Sequence, residues 1–200
     1  MNIHYEKYGF YVIDIAYVKY LHSKDSEVFY NTSFEYGKKP YLGIIANLGG
    51  YQYCIPLTSA KQKHLNWKNI SEDNYIIYEN VEEPGLRKND VHKKIGEVKR
   101  GDDKVSIHKK ILAVLDIKKM IPVNDTLYSY IEFSNETDVN YRILLQKEYD
   151  FLLPYKNDIL KKASKIYLEQ KESKHIKNFH CNFSLLESAY KEYINPVVEY

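Results

Sequence analysis

The chain of 200 residues is 44% hydrophobic and 28% charged, with a formal net charge of +2. That balance describes one globular domain with its own core and excludes a disordered or fibrous chain. No apolar run approaches the roughly 18 residues of a membrane span, and the start Met1-Asn2-Ile3-His4-Tyr5-Glu6 lacks a basic-then-apolar leader, so the expected location is the cytoplasm.

Phe10-Tyr11-Val12-Ile13 reads as a short strand, after which Asp14 is placed to N-cap a helix through Leu21 with Ile15, Val18 and Leu21 on one face. Residues 23–39 are polar and aperiodic, a long loop of the kind that often carries function. Tyr41 to Leu48 and Tyr51 to Leu57 flank Gly49-Gly50 and predict a β-hairpin, because the glycines supply the positive φ angles of a two-residue turn. Thr58 to His64 follows as a polar turn. Tyr75 to Tyr78 reads as a strand, and residues 82–110 as a charged, partly mobile insertion. Ile111 to Leu115 is a strand or a piece of helix, and Lys119 to Val123 a further strand. From Val139 the period becomes helical, with a break at Pro154 and a second helix over Asn157 to Glu172. Ser184-Leu185-Leu186-Glu187 has the spacing of a capping box, starting a helix that Pro196 stops. Strands first and helices later indicate an α+β domain.

The near-neutral total hides clustering. Lysines and arginines crowd Arg87 to Lys119, and a second group runs through Lys161, Lys162, Lys165, Lys171, Lys174 and Lys177. Such stripes are the footprint of a phosphate-backbone binder, or equally a solvated face. The 21 tyrosines suit stacking on unpaired bases, although an A+T-rich genome enriches tyrosine, lysine, asparagine and isoleucine together. Cys54 and Cys181 are too few for a disulfide framework and read as buried reduced thiols.

There is no phosphate-binding glycine loop, no Cys/His zinc spacing and no paired-carboxylate motif, so neither metal nor cofactor is expected. Asp102-Asp103 reads as an exposed loop tip. The densest chemistry lies in Pro56-Leu57-Thr58-Ser59-Ala60-Lys61-Gln62-Lys63-His64. Cutting a phosphodiester without metal requires deprotonating the 2′-hydroxyl, stabilising the charge that grows on phosphorus and protonating the departing 5′-oxygen. Hydroxyls and lysines supply the second need, and a lysine of lowered pKa or a histidine supplies the proton transfers. On spacing alone, the same segment is a Ser/Thr-rich turn with solvated lysines.

Four landmarks in order, Tyr41-Leu42-Gly43-Ile44, Pro56-Leu57-Thr58-Ser59-x-Lys61-x-x-His64, Met120-Ile121-Pro122 and Asn182-Phe183-Ser184-Leu185-Leu186-Glu187, resemble the ToxN/AbiQ toxins of type III toxin–antitoxin systems. The stretch at 82–110 is longer than expected for shorter relatives. The resemblance implies one domain over 1–200, a twisted, mainly antiparallel sheet surrounded by helices and similar to MazF/CcdB-like toxins. It also implies an endoribonuclease that needs no metal, leaves 2′,3′-cyclic phosphate and 5′-hydroxyl ends, and acts in phage abortive infection. The implied partners are the RNA substrate and an RNA antitoxin of repeated pseudoknots that closes with the toxin into a cyclic assembly. By match to the motif, Thr58 and Ser59 orient ribose and phosphate, while Lys61 and Lys39 offset phosphorane charge and one of them moves a proton. Tyr36 corresponds to an active-site tyrosine. His64, Lys63, Tyr141, Gln146 and Lys147 are the expected RNA contacts. Two other readings stand beside this one: a noncatalytic RNA-binding module, and a toxin of similar fold that acts on a protein target.

Overall fold

The computed structural model describes residues 8–32 and 42–196; Tyr36 and Lys39 lie outside the described residues. The elements are β1 (Tyr11–Ile13), α1 (Ile15–Lys24), β2 (Leu42–Leu48), β3 (Tyr51–Ser59), β4 (Asn74–Glu82), β5 (Val91–Arg100), β6 (Asp103–Asp116), β7 (Ile121–Val123), β8 (Tyr128–Tyr130), α2 (Val139–Leu152), α3 (Lys156–Ser173) and α4 (Phe183–Ile194). The strands form one antiparallel sheet in the order β4-β6-β3-β2-β1-β8, with β5 added to β6 and β7 to β3. This is the expected α+β architecture.

Local chemistry explains several elements. Asp14 caps α1 by accepting from the Tyr17 amide at 2.9 Å. The β2–β3 turn has Gly49 at φ 57° and Gly50 at φ 86°, as a twisted two-residue hairpin demands. Gly43 on β2 lies so close to β3 that a Cβ there would meet Cys54 Sγ and, at 2.7 Å, the Ile55 carbonyl oxygen. Pro154 falls in a single 3-10 turn between α2 and α3, where its missing amide breaks the ladder.

All four helices contribute to one large core through Val18, Leu145, Ile159 and Leu186, packed on sheet residues such as Tyr53, Ile55, Tyr75, Ile77 and Leu115. Alternate residues of the same strands, Ile76 and Val114, belong to a separate small cluster under Leu65 and Trp67. Successive strand side chains point to opposite faces, so the sheet carries helices on one face and the 3-10 turn Gln62–Asn66 on the other. Cys54 and Cys181 are buried free thiols, as expected. Among the described residues no helix is long and apolar enough to cross a membrane.

Two expectations are corrected here. The charged stretch 82–110, expected as a partly mobile insertion, is mostly strand, after a 3-10 turn at Glu83–Gly85 and a short loop. The end of β4 and all of β5 lie on opposite sides of β6, with a register shift between Lys94 and Gly96 and a turn at Gly101-Asp102. The capping box at Ser184–Glu187 does not form. Asn182 caps α4 by accepting from Leu185 N–H at 3.1 Å. Glu187 instead faces the core, where it accepts from Tyr53 OH at 2.7 Å and Tyr167 OH at 2.9 Å and pairs with Lys171. A tertiary network has taken the carboxylate that a local cap would have used.

Candidate active site

The polar segment after the hairpin does not start as a turn. β3 continues through Thr58 and Ser59, registered on Val114 and Ala113 of β6, which in turn face Ile76 and Ile77 of β4. The pleat therefore sends Thr58 to the Val114–Ile76 face and Ser59 to the Ala113–Ile77 face. The strand end becomes a ridge between two clefts. The structure brings Thr58, Lys61 and Lys63 together in the first and Ser59, Tyr141 and Lys147 in the second.

The first cleft, of about 260 Å³, runs between the turn after α1 and the turn after β3. Thr58 is half-buried in its floor, and its hydroxyl reaches the Val114 carbonyl only at 3.5 Å. Lys61 places its ammonium 5.9 Å from the Phe29 ring, and Lys63 lies 5.4 Å from the Trp67 ring. Among the described residues neither has a carboxylate partner, so both charges are available to a phosphate. The acids nearby are engaged. Glu27 pairs with Lys119, and Asp116 lies 2.9 Å from Lys118, which also reaches Asp73 at 3.3 Å. Burial pushes the Asp116 carboxyl up from its ordinary range, against the pull of Lys118. No group of three His, Cys, Asp or Glu side chains gathers as metal ligands among the described residues.

His64 is almost fully buried at 3% exposure and braces this cleft. Its Nδ1 accepts from the Lys61 amide at 3.1 Å, its own amide donates to the Lys61 carbonyl at 2.9 Å, and its ring packs 4.7 Å from Trp67. An accepting Nδ1 leaves the proton on Nε2. Burial, then Lys63, Lys61 and Lys118, lower its pKa to about 4, so at neutral pH the ring is an uncharged strut for the Lys61 turn. An unfolded histidine takes its proton near 6.5. Between that value and about 4 the unfolded chain binds more protons, and stability falls as pH drops through the window. His64→Gln is expected to flatten this slope, read as the urea midpoint at about pH 7.5 and about pH 5. An unchanged slope would show that the imidazole is not held neutral.

The second cleft, of about 490 Å³, opens beside exposed Ser59 and is walled by the loop after β4 and the first turns of α2. Lys147 is tied to Glu79 at 2.5 Å, and Lys110 to Asp90 at 3.0 Å. Burial, with Glu148 and Glu136, pushes the Tyr141 phenol up to about 12, which keeps it a donor. Gln146 lines neither cleft and bonds Asp150 at 2.8 Å on the exposed face of α2. The sequence reading does not single out Phe29 or Trp67, which back the lysines. Trp67, three residues beyond His64 in the same turn, was the one available signal.

The arrangement offers hydroxyls and ammonium groups around one strand end, with no carboxylate on Lys61 or Lys63 among the described residues and with Glu27 and Asp116 held by lysines. The family model described as toxin ToxN of type III toxin–antitoxin systems matches residues 9–191. An endoribonuclease ToxN of Bacillus thuringiensis subsp. kurstaki is 28% identical over 193 residues, covering 92% of this chain and 83% of that protein. A solved structure from bacterial type III systems, described through selective toxin inhibition by a non-coding RNA pseudoknot, is 26% identical with a TM-score of 0.64. It covers 95% of this chain and 99% of its own. The lactococcal anti-phage endoribonuclease AbiQ, at 18% identity and a TM-score of 0.62, shares the fold over 94% of this chain and 99% of its own.

Proposed function

Since this chain belongs to the ToxN family of type III toxin–antitoxin toxins, we propose that it is a cytoplasmic endoribonuclease that cuts RNA by 2′-hydroxyl transesterification without a metal. The 2′-oxygen attacks phosphorus, the P–O5′ bond breaks, and the fragments carry a 2′,3′-cyclic phosphate and a 5′-hydroxyl. The observation that carries this reading is the β3 ridge. Thr58 and Ser59 stand on its two sides, with Lys61 and Lys63 beside them and without a carboxylate partner among the described residues. RNA crossing the ridge would meet Ser59 on one side and Thr58 with Lys61 on the other. Lys61 offsets charge on the phosphorane, and Lys39, from outside the described residues, joins it by motif match, one of the two moving a proton. Tyr36 joins the site on the same ground. Metal independence is supported by the donor set, because Glu27 and Asp116 facing the cleft are held by lysines.

The partner that fits is an RNA pseudoknot, the kind of inhibitor reported for the solved relative; in repeated units it would hold the toxin silent in a cyclic assembly until phage infection. The test is digestion of a long RNA in excess chelator by wild type and Ser59→Ala, with identification of the fragment ends. Discrete wild-type fragments ending in cyclic phosphate, absent with the variant, are expected. Loss of wild-type cutting in chelator would overturn metal independence. No cutting by folded, RNA-free protein would favour the noncatalytic RNA-binding module.

A further inference from the structure

The proposed reaction has two proton transfers, one off the 2′-hydroxyl and one onto the 5′-oxygen, and an ammonium can serve only the second. Of the described groups lining the first cleft, two carboxylates and two imidazoles could take the first proton at neutral pH. Three of the four are engaged. Glu27 is paired with Lys119, and Asp116 with Lys118. His64 is buried, and its Nδ1 lone pair is taken by the Lys61 amide. The fourth is His22, in the last turn of α1. Its Nδ1 lies 2.8 Å from the Val28 carbonyl oxygen. A carbonyl only accepts, so Nδ1 carries the ring proton and the neutral ring keeps its lone pair on Nε2. Among the described residues Nε2 has no hydrogen-bond partner, and the Tyr30 ring, 5.4 Å away between centroids, confines the imidazole. His22 is half-buried and lines the same cleft as Thr58 and Lys61.

We infer that His22 is the general base of the cleavage step, its Nε2 taking the proton of the 2′-hydroxyl. As that proton passes to Nε2, the 2′-oxygen bonds to phosphorus. The P–O5′ bond breaks, and the departing oxygen takes a proton from a lysine ammonium. Exchange with water afterwards removes the proton from His22 and restores the one on lysine. The Val28 carbonyl accepts from Nδ1 before and after the transfer, so the contact that sets the tautomer also holds the charged ring in place. The inference rests on the endoribonuclease reading and deepens it, because it separates the base from the lysines that offset charge.

The experiment is single-turnover cleavage of one RNA by wild type, His22→Asn and His22→Ala, with urea midpoints to confirm folding. Asparagine keeps a donor for the Val28 carbonyl but offers no basic nitrogen. Both variants are expected to lose about a hundredfold or more in rate at saturating RNA, with RNA affinity within about twofold of wild type. Added imidazole should raise cleavage by His22→Ala about tenfold, following the concentration of its neutral form, and leave Lys61→Ala unchanged. Cleavage by His22→Asn at the wild-type rate would reduce the ring to a strut and overturn the inference, as would a His22→Ala that ignores imidazole. Should His22→Ala not fold, His22→Asn alone decides. Absence of cutting by folded wild type would instead remove the nuclease reading, and this base with it.

Discussion

Lys61→Ala is expected to slow RNA cleavage by at least about a hundredfold, chiefly in kcat, because its ammonium is placed to meet charge that develops only in the transition state. Its stability should change little, since Lys61 is exposed and its ammonium only lies 5.9 Å from the Phe29 ring. Lys63 is the internal control. It carries the same charge two residues on, but leans on Trp67, so Lys63→Ala should weaken RNA binding and its salt dependence more than the chemical step. Single-turnover cleavage and RNA affinity, measured across salt, separate the two effects. Equal losses in kcat for both variants would reduce Lys61 to one member of a general basic surface.

Glu187→Ala carries the largest expected loss of stability, about 3–5 kcal/mol. The carboxylate accepts from two phenols and pairs with Lys171, and Tyr53 is fully buried. Burial, then the neighbouring Glu187, hold the Tyr53 phenol protonated, so truncation would leave a buried donor without an acceptor. Ser188→Ala, one residue along on the exposed face of α4, should stay within about 0.5 kcal/mol of wild type. Urea midpoints for the pair decide the matter. A loss at Glu187 no larger than that at Ser188 would mean the network contributes nothing to folding.

The features legible in the sequence are those that local chemistry settles. Gly49-Gly50 fixes the hairpin, Asp14 caps α1 and Pro154 breaks the helical run. Those that long-range pairing settles were hidden. β5 and β6 lack a clear apolar period because the outer part of the hairpin is exposed on both faces, and a register shift between Lys94 and Gly96 interrupts the alternation. Ser184–Glu187 shows a capping motif whose glutamate is claimed by tyrosines 134 and 20 residues away. At the site, the residue types were readable but not their faces. Only the pairing of β3 with β6 extends the strand through Ser59 and divides two adjacent hydroxyls between two clefts. Lys147 likewise looks free in sequence and is bound to Glu79 from 68 residues away.

The lysines of the β5–β6 hairpin have a further consequence for the protein's behaviour in a crowded cell. β5 pairs with β6 along one side, leaving its other side as a strand edge whose backbone groups could template the addition of a neighbouring chain. Ile95 and Val98 are exposed on it, at 49% and 36%, which would favour such growth. Lys93 and Lys99 work against it, since a second copy laid alongside in register would set cation against cation, and the irregular register after Lys94 spoils the flat edge that stacking requires. The basic residues of β5 therefore guard the sheet against self-assembly into fibres.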